Sequence, residues 1–138
     1  MDIFSKKIRS KIMSKVSSSN TKPEILVRKF LFGCGMRYRL HNKKLPGKPD
    51  INLAKYKTII FIHGCFWHCH ENCEAARLPK TNLDYWKHKI DSNTKRDHIN
   101  ADKLISMGWK IIIVWECELK NAVLRTERLN NLIYEIKK

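Results

Sequence analysis

The sequence predicts an α/β layer sandwich with a mixed β-sheet flanked by helices. The runs Ile51 to Leu53, Thr58 to Ile62 and Lys110 to Trp115 are short, apolar and β-branched, as strands covered on both faces should be, and are expected at the sheet centre. Helical segments precede the first run, separate the second from the third and follow the third, so the element order is helix, strands, helix, strand, helix. With 138 residues, 43% of them hydrophobic, the chain can fill one core in one domain.

Residues 1 to 20 read as a basic, Ser-rich arm in which Arg9, Lys11 and Lys15 flank Ile12 and Met13, a composition suited to ordering on binding. Residues 21 to 138 then form the folded domain. Thr21-Lys22-Pro23-Glu24 combines a capping hydroxyl, an early proline and an acid three residues on, so a helix is expected over Glu24 to Phe32, ending at Gly33 to Gly35. Glu24 fits the acid of that capping box. An extended segment Arg37 to His41 follows. Leu45-Pro46-Gly47-Lys48-Pro49 is a turn, since two prolines and a glycine forbid helix and interrupt pairing. It delivers Asp50 to the start of a strand. Two readings of Asp50 stay open on these grounds: a carboxylate that binds Mg²⁺ against phosphate oxygens, or one that finishes the turn on nearby N–H groups. A loop through Pro79 leads to a charged helix from about 82 to 106, with Gly108 ending it. The last helix is expected over Leu119 to Ile136.

Lys and Arg number 28 against 13 Asp and Glu, a formal charge of +15 spread from Lys6 to Lys138. Such a field attracts a polyanion and makes binding salt-dependent. Nucleic acid is favoured over membrane. No apolar stretch has the length of a spanning helix, and the polar start lacks the apolar region of a signal peptide, so a cytoplasmic protein is expected. Five cysteines, an odd count and clustered, favour reduced thiols and a metal over disulfides.

His63-Gly64-Cys65-Phe66-Trp67-His68-Cys69-His70-Glu71-Asn72-Cys73 gathers three thiols, three imidazoles and two large aromatics directly after a strand. With Cys117, seven side chains could ligate zinc: His63, Cys65, His68, Cys69, His70, Cys73 and Cys117. A closed tetrahedral site needs four. Cys65, Cys69 and Cys73 recur every four residues, so a helical turn could present all three. The alternative takes His70 and leaves Cys69 as a spare thiol. Trp109 and Trp115 are read as core residues of their strand. The Lys and Arg run through Lys87, Lys95, Arg96 and Lys103 is a solvated helix face, some of which would contact phosphates.

Arg9-Ser10-Lys11-Ile12-Met13, Leu45-Pro46-Gly47-Lys48-Pro49-Asp50, His63-Gly64-Cys65-Phe66-Trp67-His68, Pro79-Lys80-Thr81 with Tyr85-Trp86, and Gly108-Trp109 with Val114-Trp115-Glu116-Cys117 resemble, in this order and over nearly the whole chain, the very-short-patch-repair DNA mismatch endonucleases. The resemblance implies a restriction-endonuclease-like fold with a structural zinc site, and a strand-specific, Mg²⁺-dependent nick beside the thymine of a T:G mismatch left by deamination of 5-methylcytosine. By matching positions it implies Asp50 as the principal Mg²⁺ carboxylate, helped by the backbone carbonyl of Ile62, which stands where related members carry threonine. It makes His68 the general base, with His63 and Glu24 accessory to the active site. It selects Cys65, His70, Cys73 and Cys117 for structural zinc. Phe66, Trp67 and Trp86 become an aromatic wedge at the mismatch, met from the opposite groove by Met13 on the arm that carries Arg9 and Lys11.

The Glu-x-Lys of many nucleases with this fold is absent, Phe61, Ile62 and His63 standing where it would fall. The resembled family shares that departure and uses histidines. Two other readings remain: a restriction-type nuclease of the same fold cutting paired DNA, which needs no wedge, and a non-catalytic zinc-dependent DNA-binding module, which leaves Asp50 and His68 unexplained. A one-strand nick suggests a monomer. The flanking bases would follow a partner cytosine-5 DNA methyltransferase, and a functional link to other repair proteins is expected.

Overall fold

The computed structural model describes residues 20–138, so the arm and its expected DNA contacts Arg9, Lys11 and Met13 lie outside the described residues. Helix α1 (Lys22–Gly33) starts because Thr21 Oγ1 accepts the Glu24 N–H at 3.4 Å and Pro23, in the first turn, has no N–H to satisfy. It ends as Gly35 takes a left-handed φ of +84°. Strand β1 (Arg39–Leu40) is shorter than the extended segment expected, since His41 turns to φ +47° and leaves the ladder. Strands β2 (Ile51–Leu53) and β3 (Thr58–His63) form an antiparallel pair with Ile51 opposite Ile60. Helix α2 (Leu83–Ser106) then crosses over to strand β4 (Lys110–Trp115), parallel to β3 with His63 beside Trp115. The final helix α3 (Ala122–Lys137) starts later than expected: residues Glu116–Leu119 form a 3₁₀ turn, and Asn121 caps α3 by accepting the Leu124 N–H at 3.0 Å.

The sheet order is β1-β2-β3-β4, mixed as expected. Helices α1 and α3 cover one face, where Val27, Leu31, Leu129, Leu132 and Ile136 pack on Ile51, Leu53, Ile60, Ile62, Ile112 and Val114. Alternation along β3 turns Ile59, Phe61 and His63 to the opposite face. There α2 buries Ile90 and Leu104. The apolar run Lys110–Trp115 was expected at the sheet centre, covered on both faces, yet among the described residues β4 is an edge strand and Ile113 is 36% exposed. β-branched composition specifies a strand but not how many neighbours it has. Among the described residues no helix is long and apolar enough to cross a membrane.

The turn before β2 is fitted to α2. Gly47 holds φ +77°, and a Cβ there would stand 3.1 Å from Asn100 Cβ and Nδ2. A glycine is required on both counts. Gly47→Ala is therefore expected to cost about 1–2 kcal/mol, lowering the melting temperature by roughly 3–8 °C in calorimetry. Because the same turn aims Asp50, any activity that depends on that carboxylate should fall more than a surface Ala variant such as Lys44→Ala would cause.

Candidate active site and metal centre

Strand β2 begins only at Ile51, opposite Ile60, so its backbone offers Ile62 no partner. The Asp50 carboxylate takes that role: Oδ2 accepts the Ile62 N–H at 2.7 Å. Beside it, Glu24 is 3% exposed, and its Oε2 accepts the Asn20 N–H at 2.9 Å and meets His41 Nε2 at 3.0 Å. The reciprocal half of the expected capping box is not formed, since the Glu24 carboxylate takes the Asn20 N–H and not that of the cap residue Thr21. Ligand atoms of Glu24, His41 and Asp50 all lie within 4.8 Å of one another. Burial, with the Glu24 charge adding to it, pushes the Asp50 carboxyl up to about 6 against the lowering effect of the Ile62 N–H and of His41. Two carboxylates held together in this way favour a cation between them. His41 was not singled out from sequence. Its only local signal is its position at the end of the extended segment before the Pro-Gly turn.

The residue after Ile62 opens a second group. His63 is 6% exposed, lies parallel to the His68 ring at 3.8 Å between centroids, and meets Trp115 edge-on at 5.2 Å. Among the described residues its Nδ1 is buried without a hydrogen-bond partner. Burial first, and the neighbouring His68, press His63 down to about 4, so it is neutral near pH 7. His68 Nδ1 contacts Asp97 Oδ2 at 2.5 Å. A carboxylate there accepts the Nδ1 proton and leaves the Nε2 lone pair free to take another. One turn earlier on α2, Asn93 Nδ2 donates to the Trp67 carbonyl at 3.1 Å, so two residues of one helix face fasten the loop. Asp97 was also missed. It sits in the basic stretch Lys95-Arg96-Asp97-His98, where an acid reads as a surface ion-pair partner.

The third group is Cys65, His70, Cys73 and Cys117, mutually within 4.8 Å, with Cys117 Sγ 3.4 Å from His70 Nδ1. Sulfur and nitrogen ligands of a tetrahedral zinc stand about 3.5 Å apart, so the set fits such an ion. Burial, together with Cys65 and Cys73 beside it, pushes the Cys117 thiol up to about 12, and burial also raises Cys65. A bound dication would reverse that crowding. The loop is a series of tight turns, with His70 N–H donating to the Cys65 carbonyl at 3.0 Å, and it forms no helix. Cys69 takes φ +52° and is exposed, outside the four. Cys117 lies in the 3₁₀ turn, which is clamped as Glu118 accepts the Trp115 N–H at 2.7 Å and pairs with Arg128 of α3 at 3.1 Å.

Trp115 joins the second and third groups, lying parallel to His70 at 4.0 Å while its edge meets His63. The core role expected for Trp109 and Trp115 does not hold. Both are half-buried; Trp109 carries Lys57 Nζ 4.8 Å above its ring, and Trp115 ends an edge strand on the α2 side of the sheet. Phe66 and Trp67 are neighbours in sequence, which on a fully extended loop would turn their side chains to opposite sides. The turns instead bring both rings onto Trp86, at 5.4 and 5.9 Å. Trp86 is 7% exposed and anchors the cluster, whereas Phe66 and Trp67 are half-buried and Tyr85 is exposed. Lys87, Lys95, Arg96 and Lys103 are exposed along α2.

The family model described as DNA mismatch endonuclease Vsr matches residues 1–75. The type II nicking enzyme V.NmeAIP of Neisseria meningitidis serogroup A is 54% identical over 136 residues, covering 99% of this chain and 96% of the relative. The type II nicking enzyme V.XorIIP of Xanthomonas oryzae is 43% identical over 132 residues, 96% of each chain. DNA mismatch endonuclease Vsr of Escherichia coli is 38% identical over 119 residues, 86% of this chain and 76% of the relative.

The charge on Asp50 carries a stability cost. Its folded pKa, about 6, exceeds the ordinary 3.8, so the folded state binds the extra proton between those values. The cost is fully present above pH 6 and gone below pH 3.8. Without added divalent ion, Asp50→Asn should stabilise the protein by on the order of 2 kcal/mol at pH 8, and the gain over wild type in thermal melts should fade as pH falls to 4.

Proposed function

Because the chain belongs to the Vsr family of DNA mismatch endonucleases, and so is a nuclease acting on DNA, we propose that it makes a Mg²⁺-dependent nick in one strand, beside the thymine of a T:G mismatch. One observation carries this reading: Asp50 and His68 are drawn onto consecutive residues of β3, the first bonding the Ile62 N–H and the second stacking on His63. A metal-binding carboxylate and a base for water thereby share one strand end.

In this reading Asp50 holds Mg²⁺, with the Ile62 backbone carbonyl as a further ligand and Glu24 beside it. When bound, the ion offsets charge on the attacked phosphate and its leaving oxygen. His68 Nε2 accepts the proton of the attacking water. Asp97 holds the His68 ring in the required tautomer, and neutral His63 packs behind that ring without adding a competing charge. Cys65, His70, Cys73 and Cys117 hold structural zinc, closed to water by having four protein ligands. The zinc would fix Phe66, Trp67 and His68 against Asp50. Phe66 and Trp67, backed by Trp86, form the wedge. A mismatched step opens at lower cost than a paired one, which would give selectivity. Residues 1–20, with Arg9, Lys11 and Met13, act as a DNA-contacting arm, and 21–138 as one endonuclease domain. The exposed lysines of α2 would add phosphate contacts. A monomer suffices, and the flanking context would be matched to a cytosine-5 DNA methyltransferase. The nicking-enzyme names of the relatives favour a one-strand cut over restriction of paired DNA.

The direct test is cleavage of paired and T:G duplexes in varied flanking contexts, each strand labelled separately, with Mg²⁺ and after chelation. A Mg²⁺-dependent nick confined to the thymine strand is expected; cutting of both strands in the paired duplex would sink the proposal. Asp97→Asn should lower the single-turnover rate by roughly 10²–10⁴-fold and change its pH profile, while DNA affinity stays near wild type. Cys117→Ser should lose bound zinc by elemental analysis and alter tryptophan emission, because Trp115 rests on a zinc ligand.

A further inference from the structure

We propose that His41 supplies a nitrogen ligand beside Glu24 and Asp50, making this a seat for a transition divalent cation that binds Mn²⁺ in preference to Mg²⁺. The inference rests on the reading of Asp50 as the metal carboxylate, and it adds a residue that the sequence resemblance leaves without a role.

Three observations converge. His41 Nε2 stands 3.0 Å from Glu24 Oε2, and both lie within 4.8 Å of an Asp50 oxygen. Adjacent ligands of an octahedral ion with bonds near 2.1 Å are about 3 Å apart, so the spacing suits a shared metal as well as a hydrogen bond. His41 reaches this position through a left-handed backbone, φ +47°, that ordinary side chains seldom adopt, and its N–H donates to the Asp50 carbonyl at 3.4 Å. An uncommon conformation held at a charged corner is a feature of sites. Finally, the carboxylates of Glu24 and Asp50 bring oxygens within 4.8 Å of each other at this corner, so two negative charges face one another across it. A cation offsets that repulsion, and the His41 side chain, 27% exposed at the rim, can meet an entering ion.

The chemistry of the donor set then decides which ion. Mg²⁺ prefers oxygen ligands and keeps several waters, whereas imidazole suits first-row transition ions. Ligation through Nε2 requires the neutral ring with its proton on Nδ1, and it replaces the contact to Glu24 with a bond to the metal. Zinc-occupied protein would keep the Cys65, His70, Cys73 and Cys117 set out of the competition.

The experiment uses the full chain with its zinc content measured at one per chain and no DNA. Mn²⁺ and Mg²⁺ are titrated by calorimetry, and the Mn²⁺-loaded protein is examined by pulsed EPR for nitrogen hyperfine coupling. Wild type should bind Mn²⁺ at least roughly tenfold more tightly than Mg²⁺ and show coupling to one imidazole. His41→Gln should remove the coupling and most of the preference while leaving Mg²⁺ affinity nearly unchanged. Loss of both ions in Asp50→Asn, with His41→Gln indistinguishable from wild type, would overturn the role of His41 and leave Asp50 standing. Unchanged binding of both ions in Asp50→Asn would overturn the underlying assignment. Coupling that survives in His41→Gln but vanishes in His68→Ala would move the ion to the His63, His68 and Asp97 group and also overturn the proposal.

Discussion

The hydrogen bond from the Ile62 N–H to the Asp50 carboxylate is the constraint from which the site is built. Strand β3 outruns β2, and the donor left over would be an unsatisfied peptide group if Asp50 did not accept it. That requirement draws a charged side chain to the end of the sheet. The parallel pairing of β3 with β4 does the rest, since it sets His63 beside Trp115 and brings the chain leaving β4 to the loop leaving β3. Cys117 can then meet Cys65, His70 and Cys73. Carboxylate, histidines and thiols are thus consequences of one register.

A chain with formal charge +15 concentrates acidic groups at this strand end, where Glu24, Asp50 and Asp97 each contact a histidine or a backbone donor of the site. The two patterns serve different ranges. Diffuse positive charge acts at long distance on a polyanion and is screened by salt. Carboxylates at the strand end, Glu24 buried and Asp50 and Asp97 half-buried, act at short range, where a lowered dielectric strengthens their attraction for a small cation. A phosphate brought in by the first field therefore meets a local environment that would repel it unless a metal intervenes. A divalent ion seated between these carboxylates, as proposed above, would remove that repulsion.

The strands and helices were legible because their signals are local. β-branched runs, Thr21 and Pro23 before α1, and Gly108 after α2 each act on a few bonds. Edge or centre was not legible for Lys110–Trp115, since that depends on which strands pair. The dense ligand segment from His63 to Cys73 pointed to a cluster of thiols and imidazoles, yet composition left Cys69 and His70 as rivals; tight turns stand in place of the helix that would have presented Cys69. His41 and Asp97 escaped for the same physical reason. Each acquires its partner across a long stretch of chain, Glu24 lying 17 residues from His41 and His68 lying 29 residues from Asp97. In sequence they are an ordinary polar residue before a turn and an acid among lysines.

Trp115 shows why the metal centre and the histidine pair should not be treated as separate parts. Its indole lies flat against His70 and presents its edge to His63, which in turn lies flat against His68. Close-packed rings transmit displacement because a gap of even half an ångström forfeits much of their contact energy. A shift of His70 would move the indole, and the indole bears on the ring that backs His68. Asp97 holds His68 from the other side through α2, so the imidazole is fixed between a helix and a ring stack that ends at His70. The Cys65, His70, Cys73 and Cys117 group is therefore coupled by packing alone to the position of the His68 ring.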